Sequence, residues 1–428
     1  MRPRHGRAAA RRDGPYLIQL GLHGLICVYA ILFPYLRGLG AAPLIVVLLC
    51  AATITAVGAR KYIEPLLLML AALGTAYAAV SYTGILHQGH TLMFETAAIP
   101  QQVMWVYALP ALIPCFALFC QRIYLRDPHY LKLETFLLLI CLAMLGWKLV
   151  SSLLLGRFSL GIGNMTNDNA FLAFILVRRI TYSKWSSLAK WFAVAAMAIS
   201  ASTAQAKIVL GLLLGLRSFP RHARVMLIAF AIALVLAACV SVFYAKELWA
   251  IDPNTGFRAM FWKDVLSDTA DTLGAGVGFG TETIRPSYDL QLGGAHVVMV
   301  DDGGFIYVGS HNAFTDALYR MGFLGFLLTA AYVIRHLYTV TTGGRAFTSF
   351  DCWVAGAMFT TIMGNVGFVS ANFFFGVSLL LGWLRFRELY VQERKRLLGF
   401  APWSAARKAA AYSAINGPFV PPISATLS

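Results

Sequence analysis

This chain is poor in charge, and poorest in negative charge: Asp and Glu number 19 against 35 Lys and Arg, and charged residues make up 13% of 428. Soluble domains carry roughly a quarter charged residues, so an ordinary water-soluble globule is excluded. Cysteine is sparse too. Cys27, Cys50, Cys115, Cys120, Cys141, Cys239 and Cys352 form no CxxC pair, lie in or beside apolar runs and read as small core hydrophobes. The histidines His23, His87, His90, His129, His222, His296 and His336 lack metal-ligand spacing, the HxxH of His87 and His90 being the nearest approach. No metal and no cofactor is therefore expected. The net charge of +16 comes without a nucleic-acid recognition motif, so no nucleic-acid partner is expected either. No internal repeat is visible.

What the chain has in abundance is apolar sequence. Hydrophobic residues are 59% of it, and its mean hydropathy is +0.68. Windows of about 20 apolar residues span the roughly 30 Å of a bilayer core as helices. An all-α polytopic membrane protein follows, with about twelve spans near 17–36, 39–59, 63–81, 103–121, 133–155, 169–177, 188–203, 206–216, 224–245, 317–334, 349–365 and 368–385. The first span is longer than a signal-peptide core and lacks a cleavage site, so it is expected to be retained.

Positive charge orients these spans. With the N-terminus cytoplasmic, the N-terminal tail, alternate loops and C-terminal tail hold nearly all Lys and Arg; only Arg37, Lys148, Arg157, Lys207, Lys246, Arg258, Lys263, Arg285 and Arg320 fall outside or within spans. The net charge thus records topology. The basic run Arg385 to Arg396 and the pair Arg407-Lys408 predict contact with anionic membrane lipid.

The pattern divides the chain into membrane helices 1–9 over residues 1–245, a large outer loop over 246–316, helices 10–12 over 317–388 and a cytoplasmic tail over 389–428. The outer loop is acidic on balance. Trp249 and Trp262 predict interfacial anchoring, and Asn254–Leu266 a helix lying on the outer surface. The run Gly274-Ala275-Gly276-Val277-Gly278-Phe279-Gly280 follows. No βαβ unit surrounds it, which argues against a dinucleotide turn. Close backbone approach to a phosphate or sugar and simple loop packing onto the helices both remain open.

The loop closes on Ser310-His311-Asn312-Ala313-Phe314-Thr315-Asp316, with Arg320 in the helix beyond. Ionisable groups at a membrane face tend to mark sites. On the same predicted side lie Lys207 at the outer end of span 8, Arg157 after span 5, Asn164, Asn167, Asp168 and Asn169 before span 6, and Arg258 in the loop helix. Fixed cations beside one histidine suit a diphosphate, and a neutral imidazole can take a proton from a sugar hydroxyl. Structural readings stand beside these: His311 as a cap, Arg320 as an ion-pair strut with Asp316, Lys207 snorkelling to headgroups, and Asp168 capping span 6.

The segments GVGFGTETI (276–284) and SHNAFTDALYRMGFLGFLL (310–328) resemble the signature of the O-antigen ligase and O-antigen or exopolysaccharide polymerase superfamily. NDNAFLAF (167–174), STAQAK (202–207), FRAMFWKDVL (257–266) and NVGFVSANFFFGVSLLLG (365–382) fall in the order that family shows, so the resemblance covers about 160–385. It implies an inner-membrane enzyme with cytoplasmic termini and a periplasmic site, transferring a glycan from undecaprenyl diphosphate to an acceptor hydroxyl with inversion and without metal. By the same resemblance His311 is the catalytic base. Arg320, Lys207, Arg258 and Arg157 hold the diphosphate, and Asn312, Asp316, Asp168 and Asn169 position the acceptor. Lys207 stands where the family carries an arginine, which keeps charge and loses the bidentate fork. The expected partners are the lipid-linked donor, a lipid-linked glycan or lipid A–core acceptor, and membrane lipids. The Asp of SHNAFTD leans the reading to a polymerase over a ligase. A multi-span lipid or solute transporter is the alternative of another class, with Lys148 its best midplane charge.

Overall fold

The computed structural model describes residues 13–36, 42–87, 94–155, 170–183, 186–200, 204–251, 253–281, 312–364 and 371–399. In chain order the α-helices are α1 Asp13–Leu36, α2 Ala42–Ile54, α3 Pro65–Tyr82, α4 Ile99–Tyr124, α5 Pro128–Leu155, α6 Ala170–Tyr182 and α7 Ser187–Ser200. There follow α8 Ala204–Ser218, α9 Ala223–Phe243, α10 Ala245–Ile251, α11 Pro253–Asp271, α12 Ala313–Thr342, α13 Ser349–Gly364 and α14 Ala371–Gly399. An antiparallel bridge between Phe94 and Thr281 is the extended pairing among the described residues.

Among the described residues six segments are long and apolar enough to cross a membrane: Gly14–Leu32, Ala42–Tyr62, Pro65–Tyr82, Thr96–Tyr124, Pro220–Phe243 and Ala313–Thr342. The protein is thus mostly helical and of multi-spanning membrane type. The remaining predicted spans include shorter helices: α6, α7, α8 and α13 have 13, 14, 15 and 16 residues, against about 20 for a perpendicular crossing.

The core forms around α4 and α14. Gly382 lets the two backbones close, since a Cβ there would sit 2.8 Å from Ala117 N and 3.0 Å from Ile113 O. Trp383 then meets Phe350 at 5.1 Å and Phe174 at 5.6 Å between ring centroids, edge to face, tying α13 and α6 to the pair. Pro110 and Pro114 interrupt the α4 ladder. Nearby carbonyls take side-chain donors, Thr55 Oγ1 on Ala111 O (2.8 Å) and His23 Nε2 against Cys115 O (3.1 Å). The opposite extreme is α9, which leaves Val225, Ile228, Ile232, Val235, Leu236 and Val240 exposed. Such a surface is stable against hydrocarbon and costly in water. Cys239 is exposed on this helix, a correction to its reading as a core residue; Cys27, Cys115, Cys120, Cys141 and Cys352 are buried.

One end of the bundle is built from buried ion pairs. Glu64 accepts from Arg335 Nη1 at 2.8 Å, and Glu388 from Arg335 Nη2 at 2.7 Å and Arg385 Nη1 at 2.9 Å. Asp351 closes a capping box at the head of α13, accepting from Thr348 N (2.7 Å) while its own N–H reaches Thr348 Oγ1 (3.3 Å). It also accepts from Trp383 Nε1 (2.7 Å) and Arg387 Nε (3.1 Å). Arg178 pairs with Glu134 and donates to Ile123 O. One expectation is corrected here. Arg385 and Arg387 are buried struts, 7% and 3% exposed, instead of lipid contacts. The α14 helix continues beyond the predicted span to Gly399, its charged half held on the bundle by these pairs.

The segment expected as an outer loop is partly helical. The predicted surface helix over Asn254–Leu266 is observed as the longer α11. It does not lie free: Phe261 and Val265 pack with Val277 and Tyr319 in a small second core, flanked by Trp262.

Candidate functional site

The other end of the bundle is organised by the glycine run and α12. Asn312 caps α12, its Oδ1 accepting from Phe314 N at 2.9 Å and Thr315 N at 3.5 Å. The helix then breaks at Gly322, whose φ of 64° and ψ of −163° are outside the helical region. In an unbroken helix Phe323 N would donate to Tyr319 O. Here Phe323 N donates to Gly274 O (2.8 Å), and Tyr319 O accepts from Val277 N (2.7 Å). The glycine run has inserted itself into the helical ladder.

Gly274, Gly276, Gly278 and Gly280 have φ of 83°, 78°, 79° and 87°, conformations that favour glycine. Their alternation turns Val277 and Phe279 into the protein, where both are buried. The backbone amides of Gly274, Ala275, Gly276, Val277, Phe279 and Gly280 are consumed internally. Gly274 N reaches Thr269 O, Ala275 N reaches Thr272 O, and Gly276 N reaches Thr272 Oγ1. Phe279 N donates to Ser81 Oγ (2.8 Å) and Gly280 N to Gln102 Oε1 (2.6 Å). Of the two open readings, packing onto the helices describes this run; those amides are not presented to a phosphate.

The carbonyls are held as firmly. Tyr77 Oη donates to Ala275 O at 2.8 Å, and Glu95 N to Gly280 O at 2.8 Å. Gln102 Nε2 donates to Thr281 O at 3.1 Å. Arg320 Nη1 donates to Gly278 O (3.1 Å), Thr281 O (2.9 Å) and Thr281 Oγ1, while its Cζ stands 4.9 Å from the Tyr319 ring centroid. Burial makes each of these bonds costly to lose.

Arg320, expected to hold a diphosphate, is therefore 3% exposed and spends this nitrogen on clamping backbone. Asp316 lies one turn before it, buried in the first turn of α12. Arg258 is half-buried on α11 and continues the stripe 258, 261, 262, 265 that packs on Tyr319 and Val277, which carries it toward the same turn. Lys207 is exposed near the start of α8, and α8 packs on α13, Trp353 Nε1 donating to Val209 O at 3.3 Å. Lys207 thus stands on a different helix pair from Arg258 and Arg320. His311, Arg157, Asn164, Asn167, Asp168 and Asn169 lie outside the described residues, as does the side chain of Lys148.

Ser81, Tyr77 and Gln102 went unnoticed in the sequence. Each is a polar residue near the end of an apolar helix, a signal visible only once a partner for it is known. Among the described residues no group of three His, Cys, Asp or Glu side chains could hold a metal ion. His23 is a packing histidine, its Nδ1 2.9 Å from Tyr130 Oη, and His87 stacks on Phe94 at 5.0 Å.

Fold and site together define a multi-helix protein of membrane type, with a backbone clamp joining α3, α4, α11 and α12 at one end. No protein-family model matches the chain, and no curated protein or solved structure is significantly similar to it.

Proposed function

We propose that this chain is a bacterial inner-membrane glycan transferase, multi-pass with cytoplasmic termini, whose site lies at the periplasmic end. The helices α1 to α9 and α12 to α14 would supply twelve crossings, the short ones tilted or broken. The observation that carries the reading is the packing of the two signature segments. The glycine run and the start of α12 are separated in sequence by the stretch 282–311, yet Val277 N and Arg320 Nη1 bind one to the other's backbone. The Asn312 cap sets the start of α12 at the end of the bundle away from the Glu64 and Asp351 ion pairs.

In this reaction the acceptor hydroxyl loses its proton to the imidazole of His311 while its oxygen bonds to the anomeric carbon. The bond from that carbon to the diphosphate oxygen breaks with inversion, and undecaprenyl diphosphate leaves with the electron pair. Arg258 and Lys207, with Arg157, are the cations that would meet the developing charge. Arg320 contributes chiefly by fixing the glycine run. The acceptor is a second lipid-linked repeat unit, which makes the product an O-antigen or exopolysaccharide chain; transfer to lipid A–core is the ligase alternative.

The test is transfer from a defined lipid-linked glycan by the full chain in proteoliposomes. His311→Ala should lower the rate by roughly a hundredfold or more, the scale of lost general-base catalysis. Longer lipid-linked chains identify a polymerase and labelled lipid A–core a ligase. Undiminished transfer by the variant would sink the proposed mechanism.

A further inference from the structure

A cleft of about 410 Å³ opens at the ion-paired end of the bundle, away from the glycine clamp, lined by Lys61, Tyr62, Gln121 and one face of α14. That face comprises Phe386, Leu389, Tyr390, Glu393 and Arg396, the i, i+3, i+4 rhythm of a single helical stripe. Its character changes along the helix. Phe386 is buried, Leu389 and Tyr390 are half-buried, and Glu393 and Arg396 are exposed. The opposite wall repeats the gradient: Tyr62 is buried, its Oη donating to Gln121 Oε1 at 2.7 Å, while the exposed Lys61 holds its Nζ 5.1 Å from the Tyr62 ring centroid. The polar floor is fixed from behind, Gln392 Nε2 donating to Glu388 Oε1 at 3.2 Å.

We infer that this cleft is a binding site for an anionic phospholipid. Lys61 lies next to the end of the membrane-crossing segment Ala42–Tyr62, and Gln121 lies in the last turn of Thr96–Tyr124. The cleft therefore sits at headgroup depth. An aromatic and aliphatic end suits the glycerol and upper acyl chains, and Lys61 and Arg396 suit a phosphodiester. Glu393 reduces the pair of positive charges to one, matching a single phosphate, and with Gln392 can accept from headgroup hydroxyls. The half-buried Leu389 and Tyr390 beside the two cations give the cleft an apolar wall as well as a charged rim, which suits a lipid over a soluble anion.

The probe is phosphatidylglycerol. The full chain is incorporated into phosphatidylcholine nanodiscs containing a minor fraction of phosphatidylglycerol, extracted in mild detergent, and weighed intact by native mass spectrometry. Wild type should retain one phosphatidylglycerol. K61Q/R396Q should retain at least about tenfold less, since each basic residue near the headgroups contributes on the order of 1 kcal/mol of attraction. R217Q/R221Q, which removes two exposed cations elsewhere, should behave as wild type. Both double variants change exposed side chains, and an unchanged melting temperature verifies their folding. Equal loss in the two variants, no retained lipid in wild type, or displacement of the lipid by millimolar inorganic phosphate would each overturn the assignment.

Discussion

Gly276 and Gly322 meet backbone to backbone. A Cβ on Gly276 would stand 2.5 Å from Gly322 N, and one on Gly322 would stand 2.3 Å from Gly274 O. Both residues also have positive φ. This contact is what lets the run 274–280 enter the ladder of α12 and exchange hydrogen bonds with Tyr319 and Phe323.

Gly276→Ala and Gly322→Ala should therefore each destabilise the protein by about 2 kcal/mol or more, combining a forced backbone shift with a strained φ. Because they share one contact, the double variant should lose clearly less than the sum. Thermal unfolding in detergent reads this. Gly84, with φ of 72° and nothing within 4 Å of an added Cβ, should feel the strain alone when changed to Ala.

Arg320→Ala should strip donors from Gly278 O and Thr281 O and cost about 2–3 kcal/mol, as buried bonds to a charged group do. Arg320→Lys should recover only part, since an ammonium cannot reproduce the planar fork. Proteolysis confined to the segment following Thr281 should accelerate in both variants before global unfolding. If cleavage there is unchanged while stability falls, Arg320 supports the bundle without governing the segment after Thr281.

Asp351 gathers Arg387, Trp383 and Thr348 at the head of α13 and is fully buried. Asp351→Ala leaves the Arg387 guanidinium, 3% exposed, without its counter-charge, and should cost about 3–5 kcal/mol. The double variant Asp351→Ala with Arg387→Met should regain much of that loss, because the stranded charge is gone. Melting temperatures of the four members of this cycle measure the coupling.

Glu388 supplies a pH test. Burial opposes its ionisation, but bonds from Arg335 and Arg385 prevail and hold its carboxyl below the ordinary carboxylate range. The unfolded chain then binds this proton more readily than the native one, so the contribution is full above the unfolded value of about 4.3 and is lost as pH falls through the lower native value. Glu388→Gln should be less stable than wild type at pH 7, with the gap narrowing in acid. A constant difference in melting temperature from pH 7 to pH 3 would refute the assignment.

Much of the architecture is legible in the amino-acid sequence. Long apolar runs such as Pro220–Phe243 leave the backbone little alternative to helix, and the basic clusters mark one end of the bundle. The helix near Asn254–Leu266 is visible in its alternation of apolar and polar residues, though its packing on Val277 and Tyr319 is not. Less visible is how Arg385 and Arg387 are used, since the local sequence Arg385 to Arg396 reads as basic contact with membrane lipid. The helix carries these charges because Glu64 and Asp351 arrive from elsewhere in the fold and Glu388 stands one turn along α14 itself, together neutralising Arg385 and Arg387.

The same division holds at the candidate site. By itself the sequence determined that His311, Asn312, Asp316 and Arg320 adjoin one helix start and that Gly274 to Gly280 must serve backbone geometry, because both follow from local spacing and residue type. Only the tertiary structure decided that the amides of Gly276, Phe279 and Gly280 are taken by Thr272, Ser81 and Gln102, and that Arg320 faces inward to the carbonyls of Gly278 and Thr281. The reason is physical: an arginine's reach and a glycine's close approach are local properties, whereas the buried partner that satisfies each is chosen by how distant helices pack.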